Sequence, residues 1–226
     1  MDIHKPLIFS ATAKLGIFET TLFKTTTLSP FLSNEELHIE VNNTTSLAVI
    51  YNEAIDMALM RHSDCLILVH DDVILEEDPI PKLETLFDTY DLVGVAGCST
   101  AKIQSPALWH IMGGGFNSGN LHGKVQHGSG DSKRMSNFGS VPHRVVMIDG
   151  VFMALSRKMM ESGVRFDEDN PADFHFYDLN FSMDAHIAGF KVGVGDILIT
   201  HESPGLLTYT DEWVEGEKYF INRHGN

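Results

Sequence analysis

The chain has only two cysteines, Cys65 and Cys98, and both sit in apolar runs. A disulfide framework needs more, so two buried thiols are expected. Basic residues are scarce as well. Lys plus Arg number 16 against 31 Asp plus Glu, a formal charge of −15. Nucleic-acid phosphates and anionic membranes are held by Lys and Arg, so no nucleic-acid partner is expected. A phosphorylated ligand would need a metal ion or a local donor cluster to offset the acid. No apolar run approaches the ~20 residues of a membrane span, so no transmembrane segment is expected. Met1-Asp2-Ile3-His4-Lys5-Pro6 carries no basic region followed by a long apolar stretch, so no signal peptide is read. A cytoplasmic protein is expected, with peripheral docking at a membrane left open.

What is present is an ordinary globular composition, 43% hydrophobic and 21% charged in 226 residues. That suffices for a core without staples. No linker, repeat or low-complexity tract interrupts the chain, so residues 1–226 are expected to form one domain.

Short apolar runs alternate with helical patterns. Leu7-Ile8-Phe9 reads as a strand ending at Ser10-Ala11-Thr12, and residues 18–32 look loosely helical. Leu37 to Val41 reads as a second strand. Ser46 is placed to cap a helix whose Leu47, Ile50, Tyr51, Ala54 and Ala58 share one face. Cys65-Leu66-Ile67-Leu68-Val69 is apolar without alternation, the mark of a strand covered on both faces. Pro79 and Pro81 open a third helix, and Leu92 to Ala96 reads as a fourth strand. This order predicts an α/β fold with a mostly parallel central sheet flanked by helices. Ligands gather at the carboxyl ends of such strands. That edge holds Ser10 to Thr12, Asn42-Asn43 and His70 to Asp72.

The second half differs. Residues 110–143 hold eight glycines and four histidines without helical period. They read as a hairpin or loop set covering the site. Val145 to Leu155 reads as a strand interrupted by Asp149-Gly150. A helix from about Asp173 follows, marked by Phe176, Leu179, Met183 and Ile187. Val192 to Thr200 is the last strand, and a helix with Trp213, Tyr219 and Phe220 ends the chain.

Three features carry chemistry. The first is Val69-His70-Asp71-Asp72-Val73. Two adjacent carboxylates at the end of a buried strand repel and cost desolvation, so a cation or basic group must compensate. Such oxygen-rich sites suit Mg2+ or Mn2+ with a diphosphate completing the shell. The alternative is a solvated loop in which one Asp caps a turn. The second is His201, just past another strand, which is either a satisfied histidine or a further ligand. The third is Asp178, near the start of its helix and on the face opposite the apolar stripe. The helix dipole alone explains a carboxylate there. The functional alternative is a general base.

Taken in order, these pieces resemble a glycosyltransferase of the GT-A fold, in the family-2-like group with a His-Asp-Asp variant of the Asp-x-Asp motif. The matching residues begin with 46–56 and Leu68-Val69-His70-Asp71-Asp72-Val73. They continue through Ile148-Asp149-Gly150-Val151-Phe152-Met153-Ala154 and Phe166-Asp167-Glu168. They end with 174–179, Ile199-Thr200-His201-Glu202-Ser203 and Phe220-Ile221-Asn222-Arg223.

The resemblance implies a metal-dependent transfer of sugar from a nucleotide-sugar donor to an acceptor hydroxyl, with inversion. The family's last Asp binds the metal. Val73 could not, so Asp72 takes that position, Asp71 the middle and His70 the first. His201 matches the histidine that completes the metal shell. Asp178 matches the base of inverting members. His70, Asp71, Ser10, Glu40, Asn43 and Asn52 are expected at the donor. Asn52 has the alternative of fixing backbone locally. Asp149 could orient the acceptor, or Asp149-Gly150 is only a bulge. Trp109 could stack on a sugar, or be core. Arg223 or Lys218 could meet the diphosphate, or lie on a solvated helix face. The acceptor is left open among glycan, lipid-linked glycan and protein. Two other classes compete. A nucleotidyltransferase would want a Gly-rich basic loop, but residues 10–16 hold one Lys and one Gly. A non-catalytic module binding nucleotide-sugar or glycan would not need Asp178 as a base.

Overall fold

The computed structural model describes residues 2–26, 36–203 and 208–225. Twenty elements run in chain order. The first half holds β1 (Pro6–Ala11), α1 (Thr21–Thr26), β2 (Leu37–Glu40), α2 (Leu47–Met60), β3 (Cys65–Val69), β4 (Val73–Leu75), α3 (Ile80–Leu86), β5 (Leu92–Gly94) and β6 (Ala96–Cys98). The second half holds α4 (Trp109–Met112), β7 (Leu121–His127), β8 (Arg134–Gly139), β9 (His143–Val145), β10 (Met147–Ile148), β11 (Phe152–Ser156), α5 (Arg157–Met160), α6 (Tyr177–Ile187), β12 (Val192–Val194), β13 (Ile199–His201) and α7 (Asp211–His224). No helix among the described residues is long and apolar enough to cross a membrane.

The strands form two sheets. The larger runs β2-β1-β3-β11-β5-β12-β9 and the smaller β10-β6-β7-β13-β4, with β8 beside β7. In the larger sheet β2, β1 and β3 are parallel neighbours, as are β5 and β12. β11 runs antiparallel between β3 and β5, and β9 is antiparallel to β12. The central sheet is mostly parallel, as expected: β2, β1, β3, β5 and β12 run one way, and β11 and β9 are reversed.

Two apolar layers cover the large sheet. Cys65, Ile67 and Val69 of β3 join one core, and Leu66 and Leu68 join the other. Both faces are buried, so the strand shows no polar alternation. α2 packs its Ile50, Tyr51, Ala54 and Ile55 on one side. Trp213 and Phe220 of α7 belong to the opposite core. Ser46 caps α2 as expected, accepting from Val49 N at 3.4 Å.

Four segments differ from expectation. The fourth strand divides at Val95 into β5 and β6, which lie in different sheets. The 145–155 strand divides into β9, β10 and β11, and the 192–200 strand into β12 and β13. β5 and β6 are both buried and apolar, so no change of period marks Val95, whereas the other divisions include the polar breaks Asp149 and Asp196. α6 starts at Tyr177, because Phe176 sits at φ 63° in the left-handed region and admits no helix before it. Of the 18–32 helix, α1 covers 21–26, and 27–32 lie outside the described residues. The 110–143 segment contains the expected hairpin, β7 with β8.

Candidate active site

The site lies on the seam between the sheets. β3 belongs to the large sheet and β4 to the small one, so His70-Asp71-Asp72 is the crossing between them. Asp149-Gly150-Val151 is a second crossing, from β10 to β11. The β3–β11 register sets Val69 opposite Phe152, and His70 N donates to Val151 O at 3.3 Å. The two crossings therefore lie side by side. β13 pairs with β4, which puts His201 opposite Val73 and beside Asp72.

His70, Asp72 and His201 each offer a ligand atom within 4.8 Å of the others. His201 Nε2 stands 3.2 Å from Asp72 Oδ1. That oxygen is buried and accepts no hydrogen bond. Burial pushes the Asp72 carboxyl up, but the His201 and His70 imidazoles outweigh it and hold the group below its usual range. Burial and then His201 push His70 down, leaving it neutral. Burial opposes protonation of His201 too, yet Asp72 prevails and raises it. A buried carboxylate oxygen paired with one imidazole and close to a second fits a cation, because two imidazoles and a carboxylate are a suitable donor set.

Asp71 points elsewhere. Its Oδ2 accepts from Thr12 Oγ1 at 2.7 Å and pairs with Lys14 Nζ at 2.9 Å. Thr12, Lys14, Leu47, Tyr51 and Phe174 line a cavity of about 360 Å³ that His70, Asp71 and Asp72 close. Lys14 is its one cationic lysine or arginine among the described residues.

Asp178 sits behind the second crossing. Its Oδ2 accepts from Gly150 N at 2.7 Å and its Oδ1 from Leu179 N at 2.9 Å. Burial first, and then the charge of Asp149, raise its pKa from 3.8 to about 7. The two backbone donors pull the other way without prevailing. The carboxyl is poised between acid and base near neutral pH, as proton-transfer groups are. Its helix face, expected opposite the apolar stripe, is the buried one. Phe181, Ser182 and Ala185 beside it are fully buried, while Ile187 of the expected stripe is exposed. α6 touches both cores, so no single face marks it.

Asp149 is held on both oxygens. Oδ2 accepts from Trp109 Nε1 at 2.8 Å and Oδ1 from Val151 N at 3.0 Å. Gly150 is required for space: a Cβ there would stand 2.7 Å from Tyr177 Cζ and 2.9 Å from Asp178 Cβ.

A family model described as a glycosyltransferase-like family matches residues 16–222. The chain belongs to this family. Its fold is accordingly the GT-A fold, and its enzyme class is glycosyltransferase. Among solved structures the enzyme resembles A197 from STIV at 17% identity and a TM-score of 0.49, over 84% of this chain and 81% of that one. It also resembles the mannosyltransferase PcManGT from Pyrobaculum calidifontis, solved with GDP-Man and Mn2+, at 11% identity and a TM-score of 0.48. That match covers 91% of this chain, which spans 59% of the mannosyltransferase. No curated protein matches the chain.

In this glycosyltransferase several expected donor contacts lie away from the cavity. Ser10 is 0% exposed on β1, and Thr12 two residues on reaches Asp71 instead. Ser10 lies within β1, whereas Thr12 lies past its end. Asn43 uses its side chain on a tight turn with Thr45, giving to O at 2.9 Å and accepting from N at 3.0 Å. Glu40 is exposed at the end of β2, 3.5 Å from His38. Asn52 neither meets the cavity nor acts locally. It accepts from Phe166 N at 2.8 Å and gives to Phe166 O at 3.0 Å and Glu168 Oε1 at 2.7 Å, tying α2 to a segment 114 residues away. Trp109 is only 8% exposed, edge-on to Phe138, so it holds Asp149 rather than opening a face to a sugar. Arg223 is committed to Asp167 and Asp184, each at 2.7 Å, and is neither at a diphosphate nor merely solvated. Lys14 and Tyr177 were missed. A lone lysine in a loop and an aromatic in an apolar stretch give no local signal.

Proposed function

We propose that the enzyme transfers a sugar from a nucleoside-diphosphate sugar to an acceptor hydroxyl by a metal-dependent single displacement with inversion, its 226 residues acting as one domain. One observation carries this reading. A metal-competent triad and a base titrating near 7 flank the same three-residue crossing, 149–151.

His70, Asp72 and His201 would hold the cation. Two imidazole nitrogens with one carboxylate oxygen suit Mn2+ better than Mg2+, which prefers oxygen shells and keeps its waters. When bound, the cation supplies Lewis-acid neutralisation of a departing diphosphate. The protein's own groups do the rest. Lys14, held by Asp71 and Thr12 over a cavity of about 360 Å³, offers a positive charge to the donor phosphates. Asp178 accepts the proton of the attacking hydroxyl, using carboxylate lone pairs left free by its two backbone donors. Asp149, fixed by Trp109 Nε1 and Val151 N, faces the acceptor. With Asp178 as the one carboxyl among the described residues raised to about 7, the chemistry favours one displacement over two. The acceptor is a glycan, a lipid-linked glycan or a protein hydroxyl.

The test is thermal stability against UDP, GDP, CDP and TDP, each alone, with Mn2+ and with Mg2+. A ligand that binds only the folded state adds about 2.7 kcal/mol at a hundred times its dissociation constant. The expected result is a rise for one nucleotide that needs Mn2+, is smaller with Mg2+ and vanishes in Asp72→Ala. A rise that ignores the metal and survives Asp72→Ala overturns the metal assignment. No rise with any nucleotide overturns the donor assignment.

A further inference from the structure

Tyr177 is the first residue of α6 and is buried. Its hydroxyl stands 2.8 Å from His70 Nε2 and 3.2 Å from Gly150 O. A phenol carries one proton. Gly150 O has none to give, so it must receive the Tyr177 proton if it is to be satisfied. His70 Nε2 must then be the donor to Tyr177 Oη. A neutral imidazole has one N–H, so the lone pair falls on Nδ1.

We propose that Tyr177 is a positioning residue that locks His70 in its Nε2–H tautomer, leaving Nδ1 as the ligand atom beside Asp72 and His201. This rests on the metal reading of that triad. A histidine that ligates a cation gives its other ring N–H to a fixed partner, which sets both tautomer and ring orientation. Carbonyls and carboxylates fill that place directly. Here a phenol relays the bond to a backbone carbonyl. The contacts are built around it: the space Tyr177 occupies exists only because residue 150 lacks a Cβ.

The relay has a second consequence. The Gly150 residue receives Tyr177 at its oxygen and gives its N–H to Asp178 Oδ2 at 2.7 Å. One glycine thus joins the metal triad to the base through hydrogen bonds, and Tyr177 is the link on the metal side.

Two measurements test the assignment. Long-range proton–nitrogen correlation spectra of the metal-free, full-length chain, with His70 assigned by loss of its signals in His70→Gln, report the tautomer in the unmodified protein. The Nε2–H pattern is expected, and an Nδ1–H pattern overturns the proposal even if no variant folds. The second is Mn2+ binding followed by the electron paramagnetic resonance of free Mn2+. Tyr177→Phe is expected to bind about 10–100-fold more weakly, the usual loss when such an outer partner is removed, with its cooperative melting retained. A folded Tyr177→Phe that binds Mn2+ as the unmodified chain does overturns it. Failure of the unmodified chain to bind Mn2+ at all refutes the metal reading itself, and the proposal with it.

Discussion

Replacing Asp178 with Asn should make this enzyme more stable and inactive. The carboxyl's pKa stands near 7 in the folded state against an ordinary 3.8. An acid whose folded pKa is raised binds its proton more tightly in the native state. Its stabilising contribution is complete below about pH 4 and is lost as pH rises through 7. A shift of about three units at ~1.4 kcal/mol each puts the cost of the charged form near 4 kcal/mol at pH 8. Asn is isosteric, carries no charge and keeps an acceptor oxygen for Gly150 N. At ~2–4 °C per kcal/mol for a chain of this size, Asp178→Asn should melt about 8–16 °C higher at pH 8. Near pH 4 most of the advantage should vanish, because Asp178 is then protonated in the folded state and only about half ionised in the unfolded one. Turnover of the unmodified enzyme should rise from pH 6 to 8 as the base form fills, and the variant should lose it. The assay is a set of melting curves of both proteins from pH 4 to 8, with transfer measured alongside. A variant that melts lower at pH 8, or a difference that does not change with pH, refutes the account of the shifted carboxyl. Retained turnover removes Asp178 as the base and favours a module that binds without catalysis.

Two further predictions concern the supports of the site. Gly150→Ala forces a methyl against Tyr177 and Asp178, and overpacking of this kind costs about 1–3 kcal/mol; thermal denaturation should show the loss, and Mn2+ titration a weaker site. Asn52→Ala strands the Phe166 N–H and should cost about 1–3 kcal/mol. Because Asn52 does not line the cavity around Lys14, its nucleotide-dependent rise in melting temperature should match that of the unmodified enzyme, and a lost rise would return Asn52 to the donor site.

Much of the architecture was legible because its signals are local. β3 is a run of five apolar residues, and α2 has a capping serine and a helical period. His70-Asp71-Asp72 was legible because adjacent carboxylates at a strand end demand compensation wherever they occur. The structure answers each carboxylate differently, Asp71 with Lys14 and Asp72 with His201. Sequence pattern cannot assign those partners, which come from 57 residues upstream and 129 downstream. Asp149-Gly150 read equally as a bulge or a site. What the sequence could not show is that the Tyr177 hydroxyl fills the glycine's empty space. Ser10 and Thr12 were indistinguishable by type, and the end of β1 between them separates a sealed hydroxyl from one at the cavity.

The seam also governs how the enzyme can move. Residues 65–75, 92–98, 143–148, 147–156 and 192–201 each begin in one sheet and end in the other. Five covalent straps therefore cross between the two layers. A hinge opening along that line would have to bend all of them together. His70, Asp72 and His201 sit on these straps and Asp178 is hydrogen-bonded to one of them at Gly150 N, so their spacing belongs to the rigid body of the molecule. Whatever adjusts to admit donor and acceptor must hang outside it.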